Sequence, residues 1–361
     1  MNNHNNTFEK IFNQKAVLSK EAHARVNLIG EHTDYTGGYV LPCLLPNKTT
    51  VLVAEHKISK EFNAYSEFFN EKVCFNDFIK SKKNQWVDYL KGCLFVFYDE
   101  NKHLEIVYLN FLIQSSIPIG RGISSSSALC VAIIKTLNDF FNIGYSDKHI
   151  AILAQKVERN YIGVSGGIMD QMVSSIGIHG KAFFLDCLTL KYELIDLPND
   201  YCFELVDSEV QRDNRNSAYN ERHDQLKKAE KILSVDNLGS ITIDQLDKNK
   251  FDDHLIYKRA LHVVTENKRT LDAKNFMLKQ DMKQFGKLMN LSHLSYSHDF
   301  EASTKDVDLL AKRSIESGAL GCRLTGGGFG GFTVSLIEKK YYDYWHNNMR
   351  VFYSEEKFLK V

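Results

Sequence analysis

The segment Ala24-Arg25-Val26-Asn27-Leu28-Ile29-Gly30-Glu31-His32-Thr33-Asp34-Tyr35 restricts the fold more than any other stretch of the chain. An apolar, strand-like run stops at a glycine, and four groups that hydrogen-bond or carry charge follow at once: Glu31, His32, Thr33 and Asp34. Arg25 stands just upstream. Polar groups are costly in a core unless each finds a partner. Such a run is poor material for a core, and its density of donors and acceptors directly after a strand suits a polyhydroxylated ligand.

Around it, short strands and helices alternate. Strands are expected at Ala24–Ile29, Tyr39–Leu45 and Thr49–Ala54, with Thr36-Gly37-Gly38 turning between the first two. A helix carrying Trp86 is expected over Gln85–Tyr98, then a strand over Glu105–Ile113. Ile133, Leu137 and Phe141 give Ala128–Phe141 a helical stripe. Ile150, Leu153, Val157 and Tyr161 do the same for Ser146–Tyr161, with Ser146 as N-cap. Strands follow at Lys181–Leu185 and Cys202–Asp207. Beyond about residue 195 long charged helices dominate, at Ser217–Leu233, His254–Thr265 and around Asp281–His293, and a last strand falls at Phe332–Ile337. Asp247–Asp253 reads as a solvated linker. A length of 361 residues allows two domains, here 1–195 and 196–361.

Composition narrows the function classes. Lys+Arg and Asp+Glu both number 45, so the formal net charge is zero and the basic excess of a nucleic-acid or membrane-surface binder is missing. The seven cysteines are scattered without C-x-x-C spacing, mostly in apolar runs. They are expected to be buried reduced thiols rather than disulfides or zinc ligands. The polar N-terminus lacks the apolar core of a signal peptide. No window approaches the length of a membrane span. The expectation is a soluble cytoplasmic protein.

Three further segments carry candidate chemistry. Pro118-Ile119-Gly120-Arg121-Gly122-Ile123-Ser124-Ser125-Ser126-Ser127 lies between a strand and a helix. Its glycines permit close approach of a ligand to the backbone, and its serines fall at a helix N-terminus, where free N–H groups favour an anion. A triphosphate cradle and an ordinary Gly/Ser loop with a serine cap both fit. It is not a Walker A loop, since G-x-x-x-x-G-K-[ST] occurs nowhere in the chain.

Leu324-Thr325-Gly326-Gly327-Gly328-Phe329-Gly330-Gly331-Phe332 contains G-x-G-x-x-G, but a strand-like Phe332-Thr333-Val334-Ser335-Leu336 follows where a dinucleotide motif should open a helix. A tight interstrand or helix-to-strand connection fits better. Gly166-Gly167-Ile168-Met169-Asp170-Gln171 places a carboxylate just after a backbone break, suited to a base at a reacting hydroxyl or to stabilising a helix dipole. Arg25 is the candidate to hold it ionised. Glu158, at the end of a helix, is either a magnesium ligand or an exposed carboxylate. Tyr219 and Trp86 each serve as ligand contact or packing. His32 is read as a ligand group.

Together these segments resemble the galactokinases of the GHMP superfamily of small-molecule kinases. Arg25–Tyr35 is similar to the galactokinase signature, Gly120–Ser126 to the superfamily's phosphate loop, Leu324–Gly331 to its third motif, and Gly166–Gln171 to its catalytic-aspartate segment. Met289–Ser303 also looks like family sequence. The resemblance implies an α/β (α+β) fold, with an N-terminal mixed-sheet domain, a ferredoxin-like C-terminal domain, and the active site between them. It implies ATP-dependent phosphorylation of galactose at the anomeric hydroxyl, with Asp170 catalytic and Arg25 its partner. Glu31, His32, Asp34, Gly167, Asp170 and Tyr219 would contact the sugar. Gly120, Arg121, Gly122, Ile123, Ser124, Ser125 and Ser126 would wrap the phosphates of ATP, with Trp86 near the adenine, and Ser126 and Glu158 would hold Mg2+. The implied protein is a monomer or weak dimer.

The sequence departs from the family at His23-Ala24, where Pro-Gly is usual, at Gly166, often cysteine, and at Ser127, usually alanine. Gly166-Gly167 resembles N-acetylgalactosamine kinases. That sugar, or another galactose-like hexose, is the alternative substrate, and a non-catalytic sugar and ATP sensor is the alternative class.

Overall fold

The computed structural model describes residues 2–81, 85–210 and 215–361. The chain divides into two compact units, each assembled from separate stretches: one from 1–24, 47–118 and 124–176, the other from 25–46, 119–123 and 177–361.

The first unit is a sheet with helices packed on it. Helix α1 (Asn2–Phe12) precedes β1 (Leu18–Asn27), which leaves this unit after Ala24, and β3 (Pro42–Glu55) enters it at Asn47. Next come β4 (Phe62–Ser66), β5 (Glu71–Phe75), α2 (Trp86–Glu100), β6 (Leu109–Ser115), α3 (Ser125–Phe140), α4 (Asp147–Lys156) and α5 (Met169–Ile176). β6 lies between β3, antiparallel from Thr49↔Ser115 to Glu55↔Leu109, and β4, to which it is parallel. The two-residue alternation of strands sorts its side chains. Val51, Val53, Leu109, Phe111 and Ile113 enter the core shared with α2, α3 and α4, while Leu52, Ala54 and Leu112 meet Phe8 of α1 on the other face. Being covered on both faces, β6 is buried from Leu109 to Gln114, Asn110 and Gln114 included.

The second unit holds β2 (Tyr39–Val40), the start of β3, β7 (Lys181–Asp186) and β8 (Tyr192–Asp196). Tyr39, Val40 and Cys43 face Asp186, Leu185 and Ala182 in one antiparallel register. Its other sheet runs β10 (Gly321–Leu324), β11 (Phe332–Glu338), β9 (Tyr201–Asp207), β12 (Phe358–Lys360), all antiparallel. Helices α6 (Arg215–Leu233), α7 (His254–Leu278), α8 (Met282–His298), α9 (Lys305–Glu316) and α10 (Tyr342–Met349) complete the unit. Val206 and Ile337 pack with Leu310 of α9 and Trp345 of α10.

Several expectations change in detail. The two strands read at Tyr39–Leu45 and Thr49–Ala54 are joined in β3, which runs through Pro46. This proline is exposed and falls between the residues that pair with β7 and those that pair with β6. The helix read as Ser146–Tyr161 keeps its cap, Ser146 accepting from the His149 N–H, but changes at Val157 to a π-turn ending at Ile162. Of the cysteines, Cys43, Cys93, Cys130 and Cys322 are buried, Cys187 and Cys202 half-buried, and Cys74 exposed, because β5 lies at the edge of its sheet. Among the described residues no helix is long and apolar enough to cross a membrane.

Candidate active site

In the first unit three chain breaks bring the carboxylates Glu158 and Asp170 to serine hydroxyls. α3 begins directly behind the Gly/Ser loop, so Ser124, Ser126 and Ser127 lie in its opening turn. The π-turn carries Glu158, and Gly163, at a φ of +89°, donates its N–H to the Glu158 carbonyl five residues back. Such insertions re-aim side chains that a regular helix would direct elsewhere. Glu158 is accordingly buried, which excludes an exposed helix carboxylate. Its Oε1 accepts from Ser126 Oγ at 2.7 Å, and its Oε2 from Ser127 Oγ at 2.6 Å and Gln171 Nε2 at 2.5 Å. Burial raises the carboxyl above its ordinary range, the three donors act against that rise, and the charge of Asp170 adds to it.

Asp170 sits in the first turn of α5, half-exposed, and accepts from Ser124 Oγ at 2.6 Å. Gly166 and Gly167 just before it are half-exposed. Trp86 makes its contacts elsewhere: its ring stacks on Phe69 and its Nε1 donates to Glu71. It is half-buried at the margin of the first core.

In the second unit the opening signature is not a solvated surface. Glu31, His32 and Thr33 are 2%, 4% and 0% exposed. The expectation that this run is poor core material is therefore corrected, because the fold supplies a partner for each of these three groups, distant ones for Glu31 and His32 and local ones for Thr33. Glu31 Oε1 accepts from Arg323 Nη1 at 3.1 Å, Thr325 Oγ1 at 3.2 Å and the Gly326 N–H at 2.9 Å. The His32 ring is held between the hydroxyls of Tyr35 and Tyr296, each at 2.8 Å. Thr33 Oγ1 donates to the Gly30 and Tyr39 carbonyls. Burial, reinforced by His262, Arg222 and Arg323, pushes the His32 imidazole well below the ordinary histidine range, so it is neutral. Tyr219 lies beside it, ring centroids 5.3 Å apart, and both Tyr219 and Asp34 are half-buried.

A second carboxylate that the sequence analysis missed anchors this run from below. Glu266 on α7 is fully buried. Its Oε1 accepts from the Gly30 N–H at 3.0 Å and Ser292 Oγ at 2.6 Å, and its Oε2 from Arg269 Nε at 2.7 Å. Burial alone would raise its pKa, but Arg269, Arg323 and His262 outweigh that and hold it at about 2. Arg323 is also fully buried, donating to Glu31 and to the Asn27 carbonyl. The signal for Arg323 was an arginine inside an apolar strand, directly before the glycine cluster. For Glu266, inside a long charged helix, no local signal existed.

Arg25 is buried in β1 and donates from Nη1 to the Gly122 carbonyl at 2.8 Å, while its N–H reaches the Ile123 carbonyl. Gly120 is exposed, and Arg121 pairs with Asp207. The second glycine cluster is an interstrand connection, β10 to β11, as its context implied. At Gly326, with a φ of +82°, an added Cβ would stand 2.6 Å from the Gly122 carbonyl oxygen. Only glycine lets the two glycine segments approach this closely.

Comparison with known proteins identifies the family. The galactokinase galactose-binding signature covers residues 6–55, the GHMP kinase N-terminal domain 88–177 and the GHMP kinase C-terminal domain 273–342. The galactokinase of Fusobacterium nucleatum is 36% identical, over 98% of this chain and 94% of its own. The chain belongs to the galactokinase family. The galactokinase of Clostridium acetobutylicum is 38% identical, over 92% of this chain and 88% of its own. The crystal structure of Lactococcus lactis galactokinase complexed with galactose aligns at a TM-score of 0.92 and 31% identity, covering 99% of this chain and 96% of that one. A mevalonate kinase, at 19% identity and a TM-score of 0.66, shares the fold. In this galactokinase-family chain the signature is thus a buried scaffold, and the sequence-nominated serines and carboxylates of the first unit are directly hydrogen-bonded to one another.

Proposed function

We propose that this protein transfers the terminal phosphoryl group of ATP to the anomeric hydroxyl of galactose, giving galactose 1-phosphate and ADP. The observation that carries the reading is the galactose-binding signature over residues 6–55, whose polar run is held in place by Arg323 and Glu266. In the reaction the sugar O1 forms a bond to the γ-phosphorus while the bond to the β–γ bridging oxygen breaks. The electron pair leaves with ADP, and the hydroxyl proton passes to the Asp170 carboxylate. Arg25 offsets charge at the moving phosphoryl group. Backbone N–H groups of Gly120, Arg121, Gly122, Ile123, Ser124, Ser125 and Ser126 cradle the phosphates, and Trp86 lies at the adenine.

Asp34, Gly167, Asp170 and Tyr219 read the sugar hydroxyls. Glu31 and His32 are read as further sugar contacts, Glu31 through Oε2, since Oε1 carries three donors.

The chemistry of the donor set fits Mg2+. Ser126 and Glu158 offer a hydroxyl and a carboxylate side by side, the hard oxygens this ion prefers, and phosphate and water oxygens would complete its shell. Among the described residues no group of three His, Cys, Asp or Glu side chains forms a cage of the protein's own. When bound, the ion neutralises phosphate charge. The same reading assigns the signature, phosphate loop and catalytic aspartate to residues 1–195 and the third motif to 196–361, in a cytoplasmic monomer or weak dimer.

A second reading, N-acetylgalactosamine as substrate, draws support from Gly166, where an added Cβ would meet nothing within 4 Å. Purified protein with ATP, Mg2+ and a panel of hexoses tests both. Rapid ADP release with galactose is expected. Turnover of the N-acetylated sugar without galactose would transfer the assignment to the second reading, and no turnover of any hexose would overturn both.

A further inference from the structure

Ser124 departs from what its position requires. It is the N-cap residue of α3, and an N-cap serine ordinarily keeps extended backbone angles and accepts a hydrogen bond from an N–H of the first turn. Ser124 instead has φ +65° and ψ 38°, and its side chain makes no cap bond. The left-handed region is unfavourable for a residue with a Cβ, by about 1 kcal/mol or more. The loop already uses glycine where it needs positive φ, at Gly120 and Gly122. A glycine at 124 would remove the strain, so conformation alone does not account for serine here.

What the side chain does instead is reach Asp170. Ser124 Oγ lies 2.6 Å from Asp170 Oδ2, a separation typical of a hydroxyl donating to an ionised carboxylate. Ser124 itself is largely buried, while the carboxylate it meets is half-exposed and open to a ligand. The neighbouring hydroxyls of Ser126 and Ser127 both go to Glu158. The serine run thus divides between two carboxylates, and one member is given to Asp170.

We infer that the Ser124 hydroxyl is a positioning group for Asp170, fixing the orientation of the carboxylate and coupling it to the backbone of the phosphate loop. This rests on the reading of Asp170 as the group that faces the accepting sugar hydroxyl. The loop that cradles the phosphates then also sets the angle of the carboxylate. Nucleotide binding and aim at the acceptor share one residue.

The test compares Ser124→Ala and Ser124→Gly with the parent chain, and runs Asp170→Asn in parallel, all by steady-state kinetics with galactose and ATP. Nucleotide Kd is measured by calorimetry. Both serine variants should lose kcat by about tenfold, while KM for galactose and the nucleotide Kd stay within about twofold, the pattern of a group that orients rather than binds. A glycine variant with parental kcat would overturn the inference, because glycine keeps the left-handed backbone and loses only the hydroxyl. A loss appearing in nucleotide Kd with kcat unchanged would overturn it in favour of a phosphate contact. Inactive Asp170→Asn alongside unaffected serine variants would sink the Ser124 inference alone. Active Asp170→Asn would sink the underlying reading of Asp170, and with it the inference.

Discussion

Two pairs of carboxylates in this protein are partnered in contrasting ways. In the first unit Glu158 and Asp170 meet serine hydroxyls and, for Glu158, an amide. In the second unit Glu31 and Glu266 meet Arg323 and Arg269, together with backbone N–H groups and hydroxyls. Hydroxyls and amides orient a carboxylate without cancelling its charge, and a hydroxyl can rotate when a ligand arrives. Arginines neutralise the charge and fix the geometry in a fork. Under the proposed function, the contrast separates Glu158, read as a metal ligand, from Glu266, which holds a loop in shape. It also explains why burial by itself does not mark an active-site acid here, since Glu158 and Glu266 are both buried.

The largest effect should come from Asp170. Asp170→Asn is expected to lower kcat by about a thousandfold, the range of a lost proton acceptor, with nucleotide binding by calorimetry nearly unchanged. Undiminished ADP release would take Asp170 out of the mechanism and weaken the contrast. The scaffold should respond in stability instead. Arg323→Met leaves Glu31 and Glu266 short of a buried cation, at a cost of about 3–5 kcal/mol in urea unfolding. A variant as stable as the parent would show that the remaining donors satisfy both carboxylates.

Glu158→Ala tests the hydroxyl-rich side at lower amplitude. It should raise the Mg2+ concentration for half-maximal rate by about tenfold, and an unchanged metal titration would retire the assignment.

Acid titration probes the scaffold again. Burial holds His262 at about 3 in the fold, against 6.5 ordinarily. A depressed pKa means that its contribution to stability is fully present above pH 6.5 and is lost as pH falls from 6.5 towards 3. In urea unfolding this group should contribute a loss of about 1 kcal/mol between pH 6.5 and 5.5, alongside a loss of the same sign from His32, and His262→Gln should remove its own share and leave a shallower step. A flat parent profile would mean that the imidazole takes up its proton within the fold. Glu266, held at about 2 against 4.5, has the same sign in a lower window: its contribution is present above pH 4.5 and lost as pH falls towards 2. The smallest effect is at a cap remote from this contrast. Ser146→Ala should cost about 0.5–1 kcal/mol in thermal or urea unfolding, by leaving the His149 N–H without its acceptor.

Long periodic elements were legible in the sequence. α2, α3 and α4 are found where apolar spacing placed them, and Ser146 caps as read. Short strands were not: Phe62–Ser66, Glu71–Phe75 and Tyr192–Asp196 are five residues each, too brief for a pattern to separate from loop. α9 was missed although its Thr304 cap and the Val307, Leu310, Ala311 spacing were present to be read. Of the candidate site, the family resemblance names Ser126 and Glu158 together as metal ligands, and in the structure the two side chains are hydrogen-bonded at 2.7 Å. The use of Ser124 on Asp170, 46 positions along, had no sequence signal.

By itself the sequence determined the local grammar: where helices start, where glycine must replace any other residue, and which polar segments need partners. These depend on neighbours a few positions away, so spacing records them. Tertiary structure alone decided who those partners are. Glu31 finds Arg323, 292 positions along the chain, and Gly30 finds Glu266, 236 positions along. Such pairings arise because a buried charge must be matched by whatever the fold brings near, and nothing in the spacing of residues along the chain records that. The polar run that looked unfit for a core is held in one by partners from α7, α8 and the glycine-rich hairpin.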